Sequence, residues 1–115
     1  MKFTLRIKKN YVFKYVFKKG EYSKGDVLVV HICKTKNENM RNFFAVCVSK
    51  KNGKSVHRNK MKRWAREVYK LQENQLKKNY NIIVVYKKSV VFDNINYSLV
   101  ENDIINCFKE LKLYE

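Results

Sequence analysis

Apolar positions recur along this chain with two different periods. Val12, Phe13, Val16 and Phe17 fall at i, i+3 and i+4 spacing, which predicts a helix with an apolar, aromatic face. Asn10 is placed to cap it and Gly20 to stop it, giving a span of residues 10–19. Residues 23–26 read as a turn. Residues 27–34, rich in β-branched side chains, and residues 42–49 read as two strands. A polar loop, 36–41, lies between them, and a hairpin is the economical pairing. A basic loop, 50–54, carries Gly53 and leads into a long helix over residues 55–78. Residues 81–87 form a third strand, apolar without interruption from Ile82 to Val85, so it is expected to be buried on both faces. After a loop over 88–96, residues 97–111 form a last helix with Val100, Ile104, Phe108 and Leu111 on one stripe. The order αββαβα predicts an α+β sandwich, its helices packed on a small mixed sheet.

The long helix is two-sided. At about 100° per residue, Met61, Trp64, Ala65, Val68, Leu71 and Gln72 share one arc. Arg58, Asn59, Lys62, Arg63, Arg66 and Lys70 fall opposite. Like charges one turn apart destabilise a helix by roughly 0.2–0.5 kcal/mol per pair, and only Glu67 and Glu73 offset them locally. An ordinary solvated face mixes both signs. A stripe of one sign is better explained by an anionic partner that neutralises it.

Composition points the same way. The chain has 115 residues, 45% of them hydrophobic, with 26 Lys+Arg against 10 Asp+Glu and a formal charge of +16. That length suits a single domain burying roughly two-thirds of its unfolded surface. A folded domain with this excess repels itself, and a polyanion relieves the repulsion. A membrane is the weaker candidate, because no run of about 18 apolar residues exists. Nor does any helix combine a cationic face with large apolars and nothing else to pack on. No helix-turn-helix pair suggests duplex DNA, which leaves RNA. Cys33, Cys47 and Cys107 form no CxxC and lie in apolar runs, so they are expected to be buried free thiols of a reducing cytoplasm. The charged first nine residues contain no signal-peptide core. For chemistry there are only His31 and His57, and the acids Asp26, Glu38, Asp93 and Asp103 are scattered. No phosphate loop, HExxH or zinc spacing appears, so no independent active site and no bound metal or cofactor is expected. His57 is read as a surface or RNA-facing residue and Trp64 as core.

The segment Phe44-Ala45-Val46-Cys47-Val48-Ser49-Lys50-Lys51-Asn52-Gly53-Lys54 runs directly into Ser55-Val56-His57-Arg58-Asn59-Lys60-Met61-Lys62-Arg63-Trp64-Ala65-Arg66-Glu67. A strand ending Val-Ser-Lys-Lys, a glycine loop, and a helix opening Val-x-Arg-Asn-x-x-Lys-Arg-x-x-Arg resemble the signature of the bacterial ribonuclease P protein subunit. Val56, Arg58, Asn59, Lys62, Arg63 and Arg66 carry the match. Phe13-Lys14-Tyr15-Val16-Phe17-Lys18-Lys19-Gly20 is similar to that family's first helix, and the likeness extends from about Leu5 to Leu113. Lys60 stands where the family usually has a second Arg, keeping the charge without the bidentate fork. His31 stands where an aromatic residue is common.

The resemblance implies a left-handed crossover around the long helix. It implies a protein subunit that assists removal of the 5′ leader from precursor tRNA, while the RNA subunit performs the hydrolysis with Mg²⁺. Its partners would be ribonuclease P RNA and precursor tRNA, with no membrane. The protein would be monomeric, one per RNA, in the cytoplasm. Lys50, Lys51, Arg58, Asn59, Lys60, Lys62, Arg63 and Arg66 would contact the catalytic RNA. Phe13, Phe17, His31, Ser49, Lys87 and Lys88 would line or border a cleft for the leader. The alternative is a ribosomal or chaperone-type RNA-binding module of similar fold, which would lack the spaced Arg-Asn-x-x-Lys-Arg helix entrance.

Overall fold

The structure, a computed structural model, describes residues 1–36 and 38–115; Asn37, in the expected polar loop, lies outside the described residues. The first helix, α1, spans Asn10–Lys19. Its cap is Lys9, in extended conformation and without a side-chain hydrogen bond, so Asn10 is the first helical residue and not the cap. Gly20 does stop the helix, through its N–H to the Val16 carbonyl at 2.8 Å. Its backbone is extended, and glycine is needed there for closeness: a Cβ would collide with the carbonyl oxygens of Ile32 and Val16.

Five strands form one sheet in the order β1-β4-β5-β3-β2. They are β1 (Thr4–Arg6), β2 (Glu21–Lys24), β3 (Leu28–Lys34), β4 (Asn42–Cys47) and β5 (Tyr80–Tyr86). Two of them, β1 and β2, were not expected from the pattern; β2 takes up the first half of the expected turn at 23–26. The expected hairpin between β3 and β4 does not form. Instead β5 lies between them, antiparallel to β3 and parallel to β4. The reason is burial. Ile82, Ile83 and Val84 are all fully buried, and a strand apolar on both faces is best covered at the centre of a sheet. The connection from β3 to β4 therefore straddles β5, held by Asn79: Asn79 accepts from Thr35 N–H at 2.9 Å and donates to the Arg41 carbonyl at 2.8 Å.

One face of the sheet carries the main core. Leu28, Val30, Ile32, Phe44, Ile82, Val84 and Tyr86 meet two helices, α2 (Ser55–Gln72) and α3 (Tyr97–Glu110). Helix α2 contributes Met61, Ala65, Val68 and Tyr69, while Leu71, expected in the core, is 65% exposed. Tyr69 and Leu71 lie about 80° to either side of Met61 on a helical wheel, so hydrogen bonding decides between them. The Tyr69 hydroxyl meets the Thr4 hydroxyl at 2.6 Å and receives Asn42 Nδ2 at 3.3 Å. The helix also stops six residues earlier than expected. A short 3₁₀ turn, Glu73–Gln75, follows, and its buried Glu73 accepts the Lys2 N–H at 2.7 Å, tying down β1. On α3, Asp103 accepts the N–H groups of Asp26, Val27 and Leu28 at 3.0, 2.7 and 3.2 Å. That buried carboxylate fixes the entry of β3 to α3.

The other face is covered by α1 alone. Ile7, Val16 and Ile83 are buried there, and Val12, Phe13, Cys33, Phe43, Ala45, Cys47 and Val85 are partly buried against them. The cysteines divide accordingly. All three are free; Cys107 is buried in the main core, whereas Cys33 and Cys47, expected to be buried, are only half-buried, because one ten-residue helix cannot cover the sheet. Among the described residues no helix is long and apolar enough to cross a membrane.

Candidate nucleic-acid interface

The loop before α2 is built by its own side chains. Ser49 N–H donates to Asn52 Oδ1 at 2.9 Å, and the Ser49 hydroxyl accepts from Lys51 N–H at 3.2 Å. Asn52, fully buried, donates from Nδ2 to the carbonyls of Lys87 at 2.9 Å and Val90 at 2.6 Å. The loop is thus fastened to the segment after β5, and Lys50 and Lys51 are left exposed on it. Gly53 ends it with φ +153°, a conformation that disfavours any side chain.

From this rigid entrance α2 projects its cations. Asn59, Lys60, Arg63 and Arg66 are exposed, and Arg58 and Lys62 are half-buried. The Arg58 guanidinium donates to Ser55 Oγ at 3.3 Å, while its Nε is buried with no hydrogen-bond partner among the described residues. Lys62 and Arg66 line a cleft of about 110 Å³ with Arg6, Phe13, Ala45 and Val46. Burial pushes the Cys47 thiol up, and the Lys62 charge opposes that rise. His57, expected to be a surface or RNA-facing residue, is half-buried. Its ring stacks on Phe92 at 4.2 Å between centroids, and Phe92 stacks on Trp64 at 5.4 Å. Trp64 is accordingly half-buried at the edge of the core. The Lys60 ammonium stands 5.9 Å from the centroids of both Trp64 and Phe92.

A second group sits on the half-covered face of the sheet. Phe17, 46% exposed, meets the His31 ring edge-on at 4.8 Å. The β2–β3 register sets Tyr22 opposite His31, and the two rings are 5.8 Å apart. Burial holds the His31 imidazole below its ordinary value, which favours its uncharged form. Ser49 and Lys87 are brought together at the ends of β4 and β5, through Asn52. Lys88 is exposed beyond them. Phe13 stands apart from these rings: it is half-buried beside Lys62 and Arg66, where α1 approaches α2.

Sequence reasoning did not single out Asn52, Phe92 or the Tyr22–His31 pairing. A Ser-x-x-Asn spacing hinted at the first. The other two depend on contacts between distant segments. Among the described residues no group of three or more His, Cys, Asp or Glu side chains could hold a metal ion.

Fold and surface together define a class: a cationic α+β protein with helices on both faces of one mixed sheet and a basic helix beside a half-covered sheet face. The family model for ribonuclease P matches residues 1–112. A ribonuclease P protein component of Clostridium botulinum (strain 657 / Type Ba4) is 34% identical over 110 residues, covering 95% of this chain and 96% of the relative. One from Alkaliphilus oremlandii is 36% identical over 115 residues, covering 98% and 96%. The solved Staphylococcus aureus RNase P protein superposes with a TM-score of 0.79 at 31% identity, covering 96% of this chain and 97% of its own. That of Thermotoga maritima gives 0.75 at 26% identity, covering 88% and 92%. The chain belongs to the ribonuclease P protein component family, whose members are accessory subunits of an endoribonuclease that processes tRNA 5′ ends.

Proposed function

We propose that this chain is one cytoplasmic RNA-binding domain that holds ribonuclease P RNA on the α2 side and the single-stranded 5′ leader of precursor tRNA on the half-covered sheet face, one copy per RNA. The observation that carries this reading is the convergence of Phe13, Lys62 and Arg66 in one cleft. It makes the basic helix and the aromatic flank of α1 parts of one continuous surface. Lys50, Lys51, Arg58, Asn59, Lys60, Lys62, Arg63 and Arg66 supply charge and hydrogen bonds to the RNA backbone. Arg58, half-buried with its guanidinium steadied on Ser55 Oγ, offers its charge from the helix entrance. Phe17 and His31 offer exposed ring surface to leader bases, with Tyr22 beside them. Ser49, Lys87 and Lys88 close the far end, and Phe13 joins the two halves.

Hydrolysis in this reading is done by the RNA with Mg²⁺. The protein adds charge neutralisation and a grip on the leader, both of which matter most when Mg²⁺ is scarce. The test is cleavage of precursor tRNA at low Mg²⁺ by a bacterial ribonuclease P RNA, with and without the protein, alongside the protein alone. Rescue by the protein, with no cutting by the protein alone, is expected. No effect on the RNA's activity would overturn the proposal in favour of a ribosomal or chaperone-type module.

A further inference from the structure

Helix α1 has a second flank. Helical spacing sets Tyr11, Tyr15 and Lys18 on the side opposite Phe13 and Phe17. On that side lies an open trough of about 1270 Å³, far larger than the cleft at Phe13. Its floor is a strip across three strands, where Leu5 pairs with Phe43 and Phe43 with Asn81. Its walls are cationic: Arg6 and Lys8 on one bank, Lys14 and Lys18 from α1, Lys34 at the end of β3 and Lys36 just past it. No carboxylate lines it among the described residues. Apolar and aromatic surface is left open, with Leu5 48%, Tyr11 66% and Tyr15 36% exposed. Ammonium groups already sit over both tyrosine rings, Lys9 at 5.8 Å from Tyr11 and Lys36 at 5.2 Å from Tyr15.

We infer that this trough is a second binding site for single-stranded RNA, separated by α1 from the Phe17–His31 face. Aromatic platforms between cationic banks suit an unpaired strand, whose bases stack while its phosphates are neutralised. An acidic peptide would satisfy the banks and leave the tyrosines unused. Duplex RNA would keep its bases away from them. The trough's own lining selects its occupant; only the count of two oligonucleotides in the test rests on the leader face proposed above.

The test uses the full chain and a labelled ten-nucleotide oligouridylate containing 4-thiouridine, at low salt. Two oligonucleotides per chain are expected, with photo-crosslinks both at Tyr11, Tyr15 or Phe43 and at Phe17, Tyr22 or His31. Tyr11→Ala with Tyr15→Ala, at exposed positions, should weaken one of the two bindings by about tenfold or more and remove the first set of crosslinks. Lys14→Glu with Lys34→Glu should do the same by charge. Phe17→Ala with His31→Ala should spare the trough. Unchanged stoichiometry in both trough variants, crosslinks confined to the Phe17 flank, or equal displacement by an oligoglutamate of matched charge would each overturn the inference. Failure of the leader proposal would show separately, in the low-Mg²⁺ cleavage assay.

Discussion

Replacing Lys62, Arg63 and Arg66 with alanine tests the electrostatic account most directly. Arg63 and Arg66 are exposed and Lys62 is half-buried at a cleft. No hydrogen bond of the fold runs through these three side chains among the described residues, and their mutual repulsion would be relieved. Surface changes of this kind usually move stability by no more than about 0.5 kcal/mol. The effect on RNA affinity should be far larger. Each phosphate neutralised contributes a slope of about −0.7 to −0.9 to log K against log salt. At roughly 0.1 M salt each contact is therefore worth nearly one decade of affinity, relative to 1 M. Three lost contacts should flatten the slope by about 2 to 3 and weaken binding by roughly 2 to 3 decades at 0.1 M, or about 3–4 kcal/mol. The assay is filter binding to a bacterial ribonuclease P RNA across a potassium chloride series at fixed Mg²⁺, with thermal unfolding as the control on the fold. A large affinity loss with the slope unchanged would mean that something other than phosphate contacts was removed. No change in either would refute a role for the α2 cations in RNA binding.

Four further outcomes are expected. Asp103→Ala strands the N–H groups of Asp26, Val27 and Leu28 and should cost about 3 kcal/mol or more in urea unfolding; a loss under about 1 kcal/mol would show that water replaces the carboxylate freely. Burial raises the Glu73 carboxyl, but the Thr4 hydroxyl and the Lys2 and Phe3 N–H groups outweigh it and hold the group below its ordinary range. Its contribution to stability should therefore be complete above its unfolded pKa and disappear as pH falls through the depressed folded value, so the stability gap between the native chain and Glu73→Gln should narrow in acid; a gap independent of pH contradicts this. Phe17→Ala should weaken precursor tRNA with a leader by about 1–3 kcal/mol and leave mature tRNA binding unchanged, with equal losses on both arguing against a leader contact. Gly53→Ala forces a side chain into φ +153° with its Cβ 3.2 Å from that of His57, and should cost about 1–3 kcal/mol by disturbing the loop and the His57–Phe92 stack; an unaltered melting temperature would show that the loop can relax.

What could be read from the sequence depended on how local its causes were. The buried arc of α2 and the cation stripe opposite it follow from one helix period, so both were legible, and the four-residue apolar run of β5 announced a fully covered strand. The partners of that strand were not legible. Chain economy favoured β3 against β4, while burial placed β5 between them, and no local pattern reports that competition. Strands β1 and β2, Thr-Leu-Arg and Glu-Tyr-Ser-Lys, are edge strands too short and too polar to show alternation. Missing them hid two consequences. Without β2 there is no register to set Tyr22 against His31, and without β1 there is no reason to bury Tyr69, whose hydroxyl meets Thr4, ahead of Leu71.

These same edge strands explain why the surface beside α1 has two flanks. β1 precedes α1 and β2 follows it, and they lie at opposite edges of the sheet. The helix that joins them has to cross the whole sheet face. With ten residues at about 1.5 Å each it reaches roughly 15 Å, while the five strands span about 19 Å between the axes of the edge strands. It can cross once, obliquely, and cover only a diagonal band centred on Val16 over Ile83. Sheet surface remains open on both sides of that band: toward Phe17 and His31 on one, toward Leu5 and Phe43 on the other. The half-exposure of Cys33 and Cys47, the open aromatic rings and the cationic trough then share one geometric origin. A longer α1, or a second helix on this face, would have closed the surface on which both RNA proposals rest.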